Sequence, residues 1–145
     1  MKISEFFRIE ELVPPYVFKT FGITSVQFLR PELLVVLDLL REKVGRAVIV
    51  NDYLTGGPYK ESGYRVPWTK TGARMSIHKL GGAADVKVEG MTPREVLAVI
   101  LANFDEFRAA GMTTYENPDL TPTWLHIDCR IVVQPHPTKF RVVDP

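Results

Sequence analysis

The sequence predicts an α+β fold, a small mostly antiparallel sheet with helices packed on it. Two segments combine helical apolar spacing with start and stop residues, and several short segments rich in β-branched residues are typical of strands. They follow the order helices, strand, long loop, strand, helix and two strands, which is not a repeating βα pattern. A chain of 145 residues can bury one core, so residues 1–145 are expected to form a single domain.

Four helices are predicted. Ser4 can cap a short first helix that ends at Pro14. A second covers 15–21 and stops at Gly22, where a glycine favours termination. The two strongest are 31–44 and 93–110, because each begins with a proline in its first turn and is followed directly by a glycine.

Short β-branched runs are expected to be the strands, at 47–53, 83–88, 112–116 and 123–133. The irregular segment 54–75 is rich in Gly, Pro, Tyr and Lys, and loops of this length in compact domains are usually functional or mobile. The tail from Gln134 has three prolines and is expected to be an extended edge, with His136 as a solvated residue.

Composition and charge narrow the class of protein. The net charge is +1, so no overall field favours nucleic acid, and no apolar run approaches the ~18 residues of a membrane span. The first residues lack the continuous apolar stretch of a signal peptide. The single cysteine, Cys129, excludes an internal disulfide. We therefore expect a protein made in the cytoplasm, with no nucleic-acid partner and no membrane insertion.

The segment 123–133 has two different faces when it is read with the two-residue period of a strand. One face is apolar and the other carries polar groups and a tryptophan; the polar face is Trp124, His126, Asp128 and Arg130, and the apolar one Leu125, Ile127, Cys129 and Ile131. The apolar face is expected to lie in the core. The polar face is more typical of the floor of a functional site than of a solvated strand.

His126 could complete a metal site with His78 and Asp85. Two imidazoles, one carboxylate and an open fourth position form a ligand set of catalytic zinc. Gly81 and a second glycine lie between His78 and Asp85 and allow the chain to bend sharply there. The alternative is a chance spacing of a histidine and an aspartate, and Asp128 could be either a ligand or a partner that orients one.

Three motifs resemble those of a known family. Residues 76–85, Ser-x-His-x-x-Gly-x-Ala-x-Asp, and 124–128, Trp-x-His-x-Asp, resemble the two signatures of the zinc D-Ala-D-Ala carboxypeptidase family, and 62–65, Ser-Gly-Tyr-Arg, resembles its upstream segment. That family includes VanX-like dipeptidases and phage endolysin peptidases, and it shares its fold with the hedgehog signalling domain. The match covers roughly residues 48–130.

The resemblance implies roles for individual residues. It implies that His78, Asp85 and His126 are Zn²⁺ ligands and that Arg65 meets a carboxylate or carbonyl of the substrate, which suits its planar fork of donors. Ser76 would bond the substrate or stabilise the loop. We also expect Tyr64 and Trp124 to line the substrate cleft, with packing of the loop tyrosines onto the sheet as the alternative.

The chain departs from the VanX-like pattern at the catalytic base. Those members carry a glutamate three residues before the last histidine, where this chain has Thr123, which cannot act as a general base. If 112–116 and 123–130 form a hairpin, Glu116 lies opposite Thr123 and near His126. Glu116 is therefore the first candidate for the base, Asp119 the second and Asp128 the third.

The resemblance implies a zinc metallopeptidase that hydrolyses peptidoglycan stem-peptide bonds, as a carboxypeptidase or an endopeptidase, and that is encoded by a phage or prophage. Such a hydrolase would act on the cell wall after release from the cytoplasm or as part of a virion. The alternative is a virion or cell-wall-binding domain of the same fold that binds zinc without turnover.

Overall fold

The computed structural model describes all residues from 1 to 145, and its architecture is α+β, with four helices and one five-stranded mixed sheet. The helices are α1 (Pro15–Phe21), α2 (Pro31–Val44), α3 (Pro93–Ala102) and α4 (Phe104–Ala110). The strands are β1 (Val48–Ile49), β2 (Ala83–Val88), β3 (Thr114–Glu116), β4 (Leu125–Asp128) and β5 (Arg141–Val143). No helix is long and apolar enough to cross a bilayer.

The sheet has the order β1-β2-β4-β3-β5. Three of its four pairings are antiparallel, and only β3 and β5 are parallel. The prediction of a mostly antiparallel sheet is therefore confirmed, and the tail does contribute an edge strand. The strands β2 and β4 lie at the centre, where a buried strand is held on both sides by backbone hydrogen bonds.

Helix α2 packs against the sheet through one row of fully buried side chains. Its inward residues recur at helical spacing and each is inaccessible to solvent; they are Leu33, Val36, Leu37 and Leu40. Burial of each such side chain contributes about 1.5–3 kcal/mol relative to exposure. They join Leu125 and Ile127 of β4 in one core, so the apolar face of that strand points where its alternation predicted.

Two helix predictions need correction. No α-helix follows Ser4: the segment holds only a 3-10 turn at Ile9–Glu11, and the Ser4 hydroxyl instead donates to Asp38 of α2 at 2.8 Å. The predicted helix 93–110 is two helices, interrupted at Asn103. The Asn103 side chain donates to the carbonyl of Val99 at 2.8 Å, and local bonds of this kind compete with a continuous helix.

Three strands are shorter than predicted. The segment 47–53 is extended only at β1, and 112–116 only at β3. The segment 123–133 forms a strand only at β4. Beyond it, the backbone N–H and the side chain of Arg130 donate to the Asp128 carboxylate instead of to a neighbouring strand. Ile131, expected in the core, is consequently 80% exposed.

Candidate metal centre

His78 is held by a short capped turn. The 3-10 turn Ile77–Leu80 begins after Ser76, whose hydroxyl accepts the His78 backbone N–H at 3.3 Å, and it ends at Gly81. Gly81 has φ +69°, and a Cβ there would come within 1.8 Å of the Phe28 carbonyl oxygen, so only glycine fits. The turn places the His78 ring in the interior, 2% exposed.

Asp85 and His126 are direct partners in the sheet. They lie on the neighbouring strands β2 and β4, in register opposite each other. Both side chains project from the same face, and the Asp85 Oδ1 lies 2.9 Å from the His126 Nδ1. His78 reaches this pair from the turn before β2, with its Nε2 3.2 Å from the Asp85 Oδ1 and 3.1 Å from the His126 Nδ1.

The hydrogen bonds on the far side of each ring determine which nitrogen carries the proton. The His78 Nδ1 lies 2.7 Å from the carbonyl oxygen of Gly63, which can only accept, so Nδ1 is protonated and Nε2 presents a lone pair. The His126 Nε2 lies 3.0 Å from the Asp128 carboxylate, so Nε2 donates and Nδ1 faces the cluster. Ring orientation by carbonyl and carboxylate partners is typical of metal-ligating histidines.

The triangle of His78 Nε2, Asp85 Oδ1 and His126 Nδ1 fits a tetrahedral metal ion. Ligand atoms at the 2.0–2.1 Å distances of zinc are about 3.3 Å apart in a tetrahedron. The three edges here measure 2.9, 3.1 and 3.2 Å. The three groups form a buried cluster that could hold a metal ion. Nitrogen and carboxylate donors suit zinc but do not select it uniquely.

Without a metal ion, a proton can balance the charge of the cluster. Burial works against the charged form of His126, but hydrogen bonds to Asp128 and Asp85 outweigh it and raise the pKa of His126 to about 9. Burial also opposes ionisation of Asp85, yet the bonds from His126 and His78 hold its pKa below the usual range. The raised pKa of His126 thus favours one proton among the three converging groups, at the place where a metal ion could bind instead.

Asp128 is a positioning residue and does not face the open side of the triangle. It is 1% exposed, and it binds the ring nitrogen of His126 that points away from the triangle. Both of its oxygens accept from Arg130. Because Asp128 contacts only the far side of His126, the structure does not place it as a base for a water on the open side of the triangle. It instead fixes the orientation of the His126 ring.

Arg65 forms an ion pair with Asp85, one of the three residues of the triangle. Its Nη2 donates to the Asp85 Oδ2 at 2.7 Å, while Oδ1 of the same carboxylate faces the histidines. Its Nε donates to the carbonyl of Glu61 at 2.6 Å. Arg65 therefore holds Asp85 in a one-oxygen orientation toward the metal position. Only its Nη1 has no protein partner, and Arg65 also lines the cleft over the site.

Glu116 is the carboxylate nearest to the triangle. It ends β3, and the register of β3 on β4 brings it level with His126 instead of Thr123 as predicted. Its Oε1 lies 3.8 Å from the His126 Nδ1, and its side chain is 18% exposed. Asp119, the second candidate, is paired with Arg94 of α3 and does not line the cleft. Thr123 is exposed.

The triangle opens into a cleft of about 430 Å³. Ser76, Trp124 and Glu116 are among its lining residues, as the sequence predicted for the first two. A second cleft of about 460 Å³, lined in part by Lys60, shares Arg65, Thr71, Asp85 and Trp124 with the first. Tyr64 lines neither cleft: it is 9% exposed and its ring stacks on Phe28 at 5.3 Å.

Two groups that shape the site were missed at the level of sequence. The Gly63 carbonyl sets the proton on His78, and no sequence pattern marks a backbone acceptor. Arg130 shares the polar strand face with His126 and Asp128, so the two-residue period did offer a signal for its contact with Asp128.

No protein-family model, curated sequence or solved structure matches this chain.

Proposed function

We propose that this protein is a zinc-dependent peptidase that hydrolyses peptidoglycan stem-peptide bonds. The observation that carries the proposal is the convergence of His78 Nε2, Asp85 Oδ1 and His126 Nδ1 within 3.2 Å, with the opposite ring nitrogens bonded to the Gly63 carbonyl and the Asp128 carboxylate. Such a set has three protein ligands and faces an open cleft, as catalytic zinc sites do.

The triangle, Glu116 and Arg65 have separate roles in the proposed reaction. Zinc bound at the triangle would supply Lewis acidity for a carbonyl oxygen and for a water. Glu116 takes the proton of the attacking water and delivers it to the leaving amine, since its Oε1 lies 3.8 Å from the His126 Nδ1, it lines the cleft, and no arginine or lysine is paired with it. Arg65 Nη1 donates to a substrate carbonyl from the rim of the cleft.

The substrate class comes from the sequence motifs. Residues 62–65, 76–85 and 124–128 resemble the signatures of zinc peptidases that cut stem peptides, and we assign the chain to their hedgehog/DD-peptidase-like fold on that ground. The α+β architecture with one mixed sheet is compatible with this assignment. Made in the cytoplasm, such an enzyme would act on the wall after release or from a virion.

Between the two reaction types, the charges favour an endopeptidase. A carboxypeptidase needs an unpaired cation near the metal to bind the terminal carboxylate of its substrate. Here Arg65 is paired with Asp85 and Arg130 with Asp128. The free charge beside the triangle is the Glu116 carboxylate, which repels a terminal carboxylate. A neutral carbonyl within a longer peptide suits the single donor left on Arg65.

The decisive experiment is incubation of purified sacculi with the zinc-loaded protein, followed by mass spectrometry of the products. The expected products are fragments cut inside the stem peptide, and a chelator should abolish them until zinc is restored. Hydrolysis that continues in excess chelator would overturn the zinc mechanism. Release of free terminal alanine alone would support a carboxypeptidase in place of an endopeptidase.

A matched peptide pair separates these two reactions further. A synthetic stem pentapeptide and its C-terminal amide differ only in the terminal charge. An endopeptidase is expected to cut both at rates within about twofold, whereas a terminal-carboxylate binder loses most of its rate on the amide, since one charge-assisted contact contributes about 1.5–3 kcal/mol. The exposed Lys60 in the second cleft is the remaining cation to test, by Lys60→Met on both peptides.

One observation favours the second candidate function, a wall-binding domain without turnover. Glu116 Oε1 is close enough to the ligand triangle to become a fourth ligand after a small side-chain rotation. Four protein ligands would make the site closed and structural. Stoichiometric zinc, wall binding and no hydrolysis would identify this state.

A further inference from the structure

A different cleft, separate from the two beside the metal centre, lies around the tail that precedes β5. This cleft has a volume of about 370 Å³ and no carboxylate among its lining residues. Each of its polar side chains can donate a hydrogen bond, and the charged or ionisable ones are Arg108, His136, Lys139 and Arg141. We refer to these four residues as the basic cleft. We propose that the basic cleft binds a phosphate-bearing ligand.

The charges of the basic cleft have no internal counter-ion. Arg108, Lys139 and Arg141 form no ion pair with any carboxylate of the chain. By contrast, the arginines at the metal centre are both paired with aspartates. The whole chain has a net charge of only +1, so this concentration of positive charge is local. A cleft whose cations are unpaired attracts an anion.

Arg108 is held in place before any ligand arrives. Its Nη1 donates to the carbonyls of His136 and Pro137 at 2.6 and 2.7 Å, and its guanidinium lies 5.6 Å from the centre of the Phe104 ring. Its Nε and Nη2 form no hydrogen bond within the protein, so they are available to a ligand. A planar guanidinium with two available donors suits phosphate oxygens.

The tail adds an oriented donor and an unusual backbone. The His136 Nδ1 accepts the Thr138 backbone N–H at 3.2 Å, so in the neutral ring the proton lies on Nε2, which becomes a donor. Gln134, also in the cleft lining, has φ +61° and is the only non-glycine residue with a positive φ. Strained backbone conformations of this kind are concentrated at functional positions.

The shared chemistry is a phosphate group, and it could come from a small phosphorylated molecule or from a phosphodiester polymer of the cell surface. Titration with inorganic phosphate and with a glycerol-phosphate oligomer distinguishes the two sources. Tighter binding of the oligomer by about tenfold or more would identify the polymer, because several phosphates then contact the cations together. Equal affinity per phosphate would identify the small molecule.

The variant that tests the proposal is Lys139→Glu with Arg141→Glu. Both side chains are exposed and form no hydrogen bond in the protein, so the fold is expected to persist, which circular dichroism checks. The matched control is Lys2→Glu with Lys19→Glu, which changes the net charge equally at exposed positions outside the cleft. Binding is measured by calorimetry and by the amide chemical shifts of the non-proline residues within 134–141.

The expected result is a loss of affinity of about tenfold or more in the cleft variant and of less than about twofold in the control, at low salt. The chemical shift changes should concentrate at 134–141. An equal loss in both variants would show a non-specific charge effect and overturn the proposal. Absence of binding of either probe to the unaltered protein would overturn it as well. Neither result depends on zinc or on peptide hydrolysis.

Discussion

Glu116 lies level with His126 on the neighbouring strand, and its Oε1 is 3.8 Å from the ring nitrogen that faces the metal position. The register of β3 on β4 creates this relationship, since Thr114 pairs with Asp128 and each later residue of β3 moves one step back along β4. A carboxylate from a neighbouring strand thus lies beside the triangle, whereas Thr123 is exposed and does not line the cleft.

We expect Glu116→Gln to abolish most of the peptide hydrolysis while zinc remains bound. Removal of a general base typically costs about 10²–10⁴ in rate. The matched control is Asp119→Asn, which removes a carboxylate of the same β3–β4 connection that pairs with Arg94 away from the cleft. Rate on sacculi and zinc content are measured together. A variant that loses both zinc and activity would instead identify Glu116 as a fourth ligand.

Asp128→Asn is expected to weaken zinc binding by about 10–100-fold, the usual effect of losing a partner that orients a ligand histidine. The amide can still accept from His126 Nε2, but it carries no charge to raise the basicity of the ring or to pair with Arg130. Competition with a chromophoric chelator measures the affinity. Unchanged affinity in a folded variant would contradict the positioning role of Asp128.

The stability of the metal-free protein should fall as the pH rises from about 6.5 to about 9. The pKa of His126 is raised to about 9 in the folded state, against 6.5 when unfolded, so the folded state binds more protons in this window. The stabilisation is complete below 6.5 and lost above 9. It is on the order of 3 kcal/mol, at about 1.36 kcal/mol per pKa unit.

Zinc affinity should change in the opposite direction over the same window. Zinc replaces the proton on His126 Nδ1, so its binding strengthens as that proton leaves. Urea unfolding with a chelator, and zinc titration without it, measure the two trends. His136→Asn is the control, because this exposed histidine does not contact the triangle and its removal should leave both trends intact. A zinc affinity that falls together with the stability of the metal-free protein as the pH rises would contradict this linkage.

Gly81→Ala is expected to lower the free energy of unfolding by about 2 kcal/mol or more. The added Cβ would lie 1.8 Å from the Phe28 carbonyl oxygen, and φ is +69° at this position. Gly45→Ala is the control: φ is +61° there too, but no atom lies within 4 Å of the added Cβ. Chemical unfolding compares the two variants. An equal loss in the free energy of unfolding would show that the positive φ accounts for the whole effect and that the close contact with Phe28 adds nothing.

Local patterns were sufficient for the elements with strong end signals. The helices α1 and α2 begin and end where their prolines and glycines predicted, and β2 has the predicted bounds. The break at Asn103 and the short β4 were not predictable from periodicity. Each depends on a side chain, Asn103 or Arg130, bonding to a nearby acceptor in place of continuing the regular pattern.

The sequence by itself supplied the members of the candidate metal centre: residue type and strand period made His78, Asp85 and His126 one of two interpretations, and the resemblance of their motifs implied them as ligands. Tertiary structure decided the rest. The proton positions depend on the Gly63 carbonyl and Asp128, the place of Glu116 depends on strand register, and Arg65 contacts a ligand while Tyr64 packs in the core. These contacts join segments far apart in the chain, and residue spacing carries information only about neighbours along it.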